Sequence, residues 1–195
     1  MFYRISALVA MAAFYAVYLG KMLAQRRQGI RTDQMGRGEK PKRVLRVERA
    51  MKLATYLVVV AELACIFAPG VPLPAPLRAL GLILAIAGDA AFALAVWTMR
   101  DSWRAGISEG EKTEFITSGI YSVSRNPAFL GFNLLYAGIL LMHFHWLLLP
   151  FTLWAMVMLH LQILQEEAFL PTAFGQPYLD YRARVRRYLG RTRGK

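Results

Sequence analysis

Polar and apolar residues separate into long blocks along this chain. Apolar runs occupy about residues 5–23, 50–68, 77–99, 127–143 and 147–164, divided by stretches that are charged or rich in proline and glycine. A helix rises ~1.5 Å per residue and the hydrocarbon core is ~30 Å thick, so each run is close to the length needed to cross it. The pattern predicts an all-α, multi-span helical membrane protein with five transmembrane helices. The last two form a C-terminal helical hairpin, followed by an amphipathic segment. The first run passes directly into basic residues without a small-residue cleavage pattern, and is read as a retained span. After the second run, Pro69–Pro76 (PGVPLPAP) removes helix donors and forces a tight connection.

Composition supports the membrane reading. The 195 residues are 56% hydrophobic and 18% charged, and five spans leave no room for a separate soluble catalytic domain. We therefore treat 1–195 as a single membrane domain. The formal net charge is +12, but the basic residues gather beside apolar runs. Residues 26–49 hold nine Lys or Arg against three acids, and seven more follow Tyr181. With five crossings, all the basic segments fall on one side. The positive-inside rule then puts the N-terminus outside and the C-terminus in the cytoplasm, in the cell membrane. Clustering of this kind is a topology signal and argues against nucleic-acid binding. The lone Cys65 sits in an apolar run, so neither a disulfide framework nor a thiol metal site is expected. Paired-histidine metal motifs and GxGxxG are absent, which leaves no metal site and excludes a soluble Rossmann domain.

Polar groups at membrane depth are costly and need a partner or a purpose. The stretch YSVSRNPAFLGF, 121–132, puts Arg125 and Asn126 at the mouth of the fourth span, with Pro127 suited to its first helical position. A guanidinium beside a helix N-terminus is suited to completing a carboxylate or phosphate site, or else to reaching lipid headgroups. The fifth span ends in HLQILQEEAFL, bringing Glu166 and Glu167 to the same membrane face. Adjacent helical residues point ~100° apart, so one carboxylate pairs with Arg125 and the other faces a ligand. His160 reads as a hydrogen-bonded interior residue before it reads as a base. FGQPYLDYRARVRRYLGR then mixes aromatics with arginines, which fits an interfacial anchor or a lid over an aromatic, cationic ligand.

Taken in order, GIYSVSRNPAFLGF, an apolar hairpin and EEAFLPTAFGQPYLDYRARVRRYLG resemble the isoprenylcysteine carboxyl methyltransferase family and its phospholipid-methylating relatives. The resemblance covers residues 119–190. It implies a multi-span membrane enzyme whose cofactor, S-adenosylmethionine, lies between the last two helices and the C-terminal segment. On the family's pattern fall Arg125, Pro127, Gly131, Glu166, Glu167, Leu170, Phe174, Gly175, Tyr178 and Tyr181. Asn126 stands where that pattern has histidine, and Phe129 where it has tyrosine. The implied cofactor-binding set is Tyr121, Arg125, Asn126, Pro127, Phe129, Gly131, Glu166, Glu167, Leu170, Phe174, Tyr178 and Tyr181, with Arg125, Glu166 and Glu167 as the catalytic candidates. In the loop Asp101–Ile107, Trp103 and Arg104 are candidates for the acceptor entrance. Asn133 and Tyr136 either line a pocket on the acceptor side or hold helices together, and Glu62 and Asp89 are embedded carboxyls with either a structural or a cavity role.

The expected function is S-adenosylmethionine-dependent methyl transfer to a lipidic or small acceptor at the cytoplasmic face. An isoprenylcysteine-like carboxylate, a phospholipid amine and a thiol all remain open. Two alternatives stand beside it: an NADPH-dependent membrane reductase of the sterol type, and a non-enzymatic lipid-binding membrane protein.

Overall fold

Apolar blocks in a bilayer have to satisfy their own backbone groups, and helices do so. The computed structural model describes residues 1–36, 39–104 and 114–192. It contains the helices α1 (Phe2–Arg27), α2 (Lys42–Phe67), α3 (Ala75–Met99), α4 (Pro127–Met142), α5 (Leu148–Phe174) and α6 (Gln176–Arg184), with short 3-10 turns at Arg100–Ser102 and Gly119–Ser122. No strand occurs among the described residues. Helices α1, α2, α3 and α5 are long and apolar enough to cross a membrane, which makes this a multi-pass membrane protein.

The helices differ in length from the apolar runs that announce them. A hairpin of two nearly equal spans was expected, but α4 has 16 residues and α5 has 27. These correspond to ~24 Å and ~40 Å. Hydropathy marks what contacts lipid, whereas caps decide where a helix stops. Pro127 opens α4, and at its other end His143 leaves the helical region. Helix α5 runs on through Pro171 to Gly175, whose φ of 60° and ψ of −140° suit glycine and turn the chain sharply into α6. Likewise α2 begins at Lys42, inside the basic segment, eight residues before its apolar run.

The principal partner of α4 is α3, and that of α5 is α2. Four glycines explain the first pairing. A Cβ on Gly138 would lie 2.6 Å from the Gly81 carbonyl oxygen and from the Ala85 nitrogen, and one on Gly131 would lie 2.8 Å from the Gly88 carbonyl oxygen. Backbones this close gain dispersion contacts that lipid tails cannot replace. Around the seam, Phe14 of α1 stacks on Phe92 of α3 at 4.2 Å and meets Phe132 of α4 edge-on at 4.6 Å.

Connections place the helix ends. At one pole the Val71 N–H donates to the Phe144 carbonyl. At the other, Gln165 of α5 donates to the Arg43 carbonyl at the start of α2, and Lys21 of α1 pairs with Asp101 just after α3. The second pole therefore gathers the ends of α1, α3 and α5, the starts of α2 and α4, and the basic segments.

Gly138→Val should overpack the α3–α4 seam by about 1–3 kcal/mol, lowering the melting temperature in detergent and shifting the protein toward aggregate on size exclusion. Gly20→Ala meets nothing within 4 Å and should melt at or above the parent temperature. Equal melting of Gly138→Val and parent would contradict the close approach.

Candidate functional site

At the second pole α4 starts after a bent segment. Asn126, the residue before its first turn, has φ −132° and ψ 55°, and its side chain makes no capping bond to its own helix. It points across to α5 instead. The Asn126 amide donates to Glu167 Oε1 at 3.0 Å and to the Arg187 carbonyl at 3.1 Å. Arg125 brings its Nη2 to 3.1 Å from Glu167 Oε1. Arg187 completes the set, donating from Nε at 3.1 Å and from Nη2 at 3.0 Å to Glu167 Oε2. Glu167 is only 4% exposed, and a carboxylate this far from water requires such donors. Two guanidinium groups against one carboxylate leave the junction net positive. The hydrogen bond from Arg187 to Glu167 raises the guanidinium pKa further, so Arg187 stays charged.

Arg187 arrives on a C-terminal strap. The Arg125 N–H donates to the Arg186 carbonyl, and the Gly190 N–H donates to the Val123 carbonyl at 2.7 Å. Tyr188 hydrogen-bonds His160 Nδ1 at 2.6 Å, with the two rings stacked. His160 and Glu167 lie two helical turns apart on one face of α5, and they hold consecutive strap residues. Helix α6 turns Tyr178 and Tyr181 inward, at 1% and 4% exposure. The Tyr181 hydroxyl donates to the Tyr121 carbonyl at 2.6 Å. Burial pushes the Tyr181 pKa up, so the proton needed for that bond is retained.

These elements enclose a cavity. Tyr121, Arg125, Asn126, Pro127 and Phe129 line it from the α4 side, Glu166, Glu167, Leu170 and Phe174 from α5, and Tyr178 and Tyr181 from α6. Trp103 and Arg104 line it from beyond α3. Gln162, one turn back on α5, donates to Glu166 Oε1 at 3.0 Å. The aromatic wall is continuous: Phe115 stacks on Phe174 at 4.9 Å and meets Tyr181 edge-on at 5.5 Å.

Several residues singled out from the sequence stand elsewhere. Gly131 packs against Gly88 and Phe92 in the helix seam. Tyr136 is fully buried within the helix bundle, and Asn133, like Gly131 and Tyr136, is not part of the cavity wall. Glu62 is fully buried on α2, away from the cavity lining. Of the loop 101–107, Ala105, Gly106 and Ile107 lie outside the described residues. Conversely, Phe115, Phe169 and Arg187 were not picked out. Phe169 lies within the motif stretch, but Arg187 was indistinguishable by spacing from the other tail arginines.

At one pole of a helical membrane bundle, then, an aromatic-walled cavity meets a buried carboxylate–guanidinium junction. Residues 76–177, just over half of the chain, match the model of the phospholipid methyltransferase family, and the chain belongs to that family. It is therefore a multi-pass membrane protein of a methyltransferase family. No curated protein matches the chain.

Glu167→Ala would leave two guanidinium groups facing each other and should cost about 3–5 kcal/mol. Tyr181→Phe, which loses a hydrogen-bond donor, should cost about 1 kcal/mol. Chemical unfolding in detergent should give midpoints in the order parent, Tyr181→Phe, Glu167→Ala, and a reversed order would contradict the junction.

Proposed function

We propose that the cavity binds S-adenosylmethionine and that the protein methylates the amine of a phospholipid headgroup at the cytoplasmic membrane face. The observation that carries this reading is the Glu167 junction set in an aromatic wall. Arg125 has a buried Nε without a hydrogen-bond partner, so the guanidinium keeps donor capacity beyond Glu167. That suits a ligand carboxylate. The first turn of α4 has no side-chain cap and adds N–H donors to the same wall. The faces of Phe115, Phe174, Tyr178 and Tyr181 suit an adenine ring and attract a cationic sulfonium.

When bound, S-adenosylmethionine supplies an electrophilic methyl group on its sulfonium. The chain supplies position and a proton acceptor. An ammonium headgroup cannot act as a nucleophile until it loses a proton, and Glu166 is the carboxylate for this work. It lines the cavity one residue from Glu167 and is oriented by Gln162. It holds the headgroup by charge, takes its proton and frees the nitrogen lone pair. Trp103, which is 5% exposed, walls the acceptor side and excludes water. Among the open acceptors, a carboxylate would need no base whereas an amine or a thiol would, and the match to the phospholipid methyltransferase family favours the amine of the two. The family assignment lends no support to the sterol-type reductase.

The test is calorimetric titration with S-adenosylhomocysteine. The purified parent should bind it. Arg125→Ala should bind 10- to 100-fold more weakly, the scale of losing a charged hydrogen bond of about 1.5–3 kcal/mol. Glu166→Gln should bind within a few-fold of parent yet lose about 10²- to 10⁴-fold in turnover of phosphatidylethanolamine. A parent that does not bind, or an Arg125→Ala variant that binds equally well, would sink the assignment.

The cytoplasmic placement rests on the basic segments at the cavity pole. In a Cys65→Ser background, Gln28→Cys should react with an impermeant maleimide only after cells are opened. Val71→Cys should react in intact cells, and the opposite pattern would invert the orientation.

A further inference from the structure

Trp103 and Arg104 reach the cavity wall on a short segment that α3 alone does not fix. Arg100, at the end of α3, has φ 47° and ψ −126°, a backbone region costly for any residue but glycine. Such a conformation persists only when the surroundings over-determine it. The structure shows what does so. Gln25, fully buried near the end of α1, donates from Nε2 to the Trp103 carbonyl at 3.1 Å and to the Asp101 carbonyl at 3.4 Å. Its own Oε1 accepts from Thr32 Oγ1 at 2.6 Å. Lys21, one turn earlier, pairs with Asp101 at 3.2 Å. On the ring side, Trp103 sits edge-on to Tyr18 of α1 at 5.7 Å and to Phe92 at 5.9 Å. A single amide thus ties three chain segments; Arg104 Nη1 also donates to the Trp103 carbonyl, at 3.0 Å, so removing the amide takes away one of two donors and the only tie from that carbonyl to α1 among the described residues. Gln25 and Thr32 both lie outside the matched stretch 76–177, whereas the wall they hold lies inside it.

We propose that Gln25 is a positioning residue for the acceptor side of the cavity, through which α1 and the turn after it set the affinity for the phospholipid headgroup. The inference rests on the methyltransferase reading above. Among the described residues, the cofactor side of the cavity, built from α4, α5, α6 and the strap, makes none of its bonds to Gln25. Loss of the Gln25 latch therefore loosens Trp103 and leaves the Glu167 junction in place. Gln25→Glu is the informative variant, because its carboxylate still accepts from Thr32 and no longer donates to Trp103. Thr32→Val is the milder companion, removing the bond that orients the amide.

The experiment compares parent, Gln25→Glu and Thr32→Val in detergent micelles containing phosphatidylethanolamine. Gln25→Glu should raise KM for the lipid at least tenfold with kcat within threefold and S-adenosylhomocysteine affinity within twofold of parent, and Thr32→Val should shift KM the same way by less. In a Cys65→Ser, Ser102→Cys background, Gln25→Glu should also speed maleimide labelling of Cys at position 102 at least fivefold. An unchanged KM, unchanged labelling, or a parallel loss of S-adenosylhomocysteine affinity in both variants would overturn the proposal. A parent that turns over no lipid defeats the acceptor reading itself, and the labelling comparison then decides the latch on its own.

Discussion

A carboxylate at 4% exposure near the end of a membrane helix cannot stay charged without donors on several sides. Glu167 obtains them from two other parts of the chain. Arg125 and Asn126 come from the lead-in to α4, and Arg187 comes from a strap twenty residues beyond Glu167. Each donor brings its backbone with it. The strap is pinned to Val123 and Arg125 by main-chain bonds, and the tyrosines of α6 are turned inward as a result. The cavity is what remains between elements that converge on one charge.

That convergence requires α4 to start at a fixed place, and the glycine seam with α3 provides it. Backbones that approach to within a Cβ of collision have little freedom to slide or rotate, since any side chain shifted into the seam would clash. The short helix is thereby held at one depth in the bundle. Its N-terminus, with Arg125 and Asn126, meets the acidic end of α5. The longer α5 carries Glu167 past the length of its apolar run, so unequal helices are part of how the site is made.

Much of this was legible in the sequence. Five apolar runs gave five helices, and the charge of Arg125 set before one run, with the acids after the next, pointed to their pairing. The helix ends were less readable. Hydropathy fades before α5 stops, and only Gly175, with its glycine-favoured backbone angles, marks the true end. The α3–α4 seam has its own mark in the sequence: Gly81 and Gly88 stand seven residues apart on one helix, as do Gly131 and Gly138 on the other. Gln25 and Arg187 left none, because nothing about a glutamine at a helix end or an arginine among arginines says which distant carbonyl or carboxylate it will meet.

Asn126 is where local chemistry and long-range geometry meet. The resembling family's pattern has histidine here, and a neutral imidazole offers one N–H donor. This site asks for two, one to Glu167 and one to the Arg187 carbonyl. A histidine could supply both only as a cation, adding a third positive charge to a junction that already holds two guanidinium groups against one carboxylate. The asparagine amide meets both acceptors while staying neutral at any pH. The substitution therefore follows from the strap: once Arg187 reaches Glu167 and turns its carbonyl toward position 126, an uncharged double donor fits best. In the proposed reaction, proton transfer then falls to the neighbouring carboxylate, Glu166.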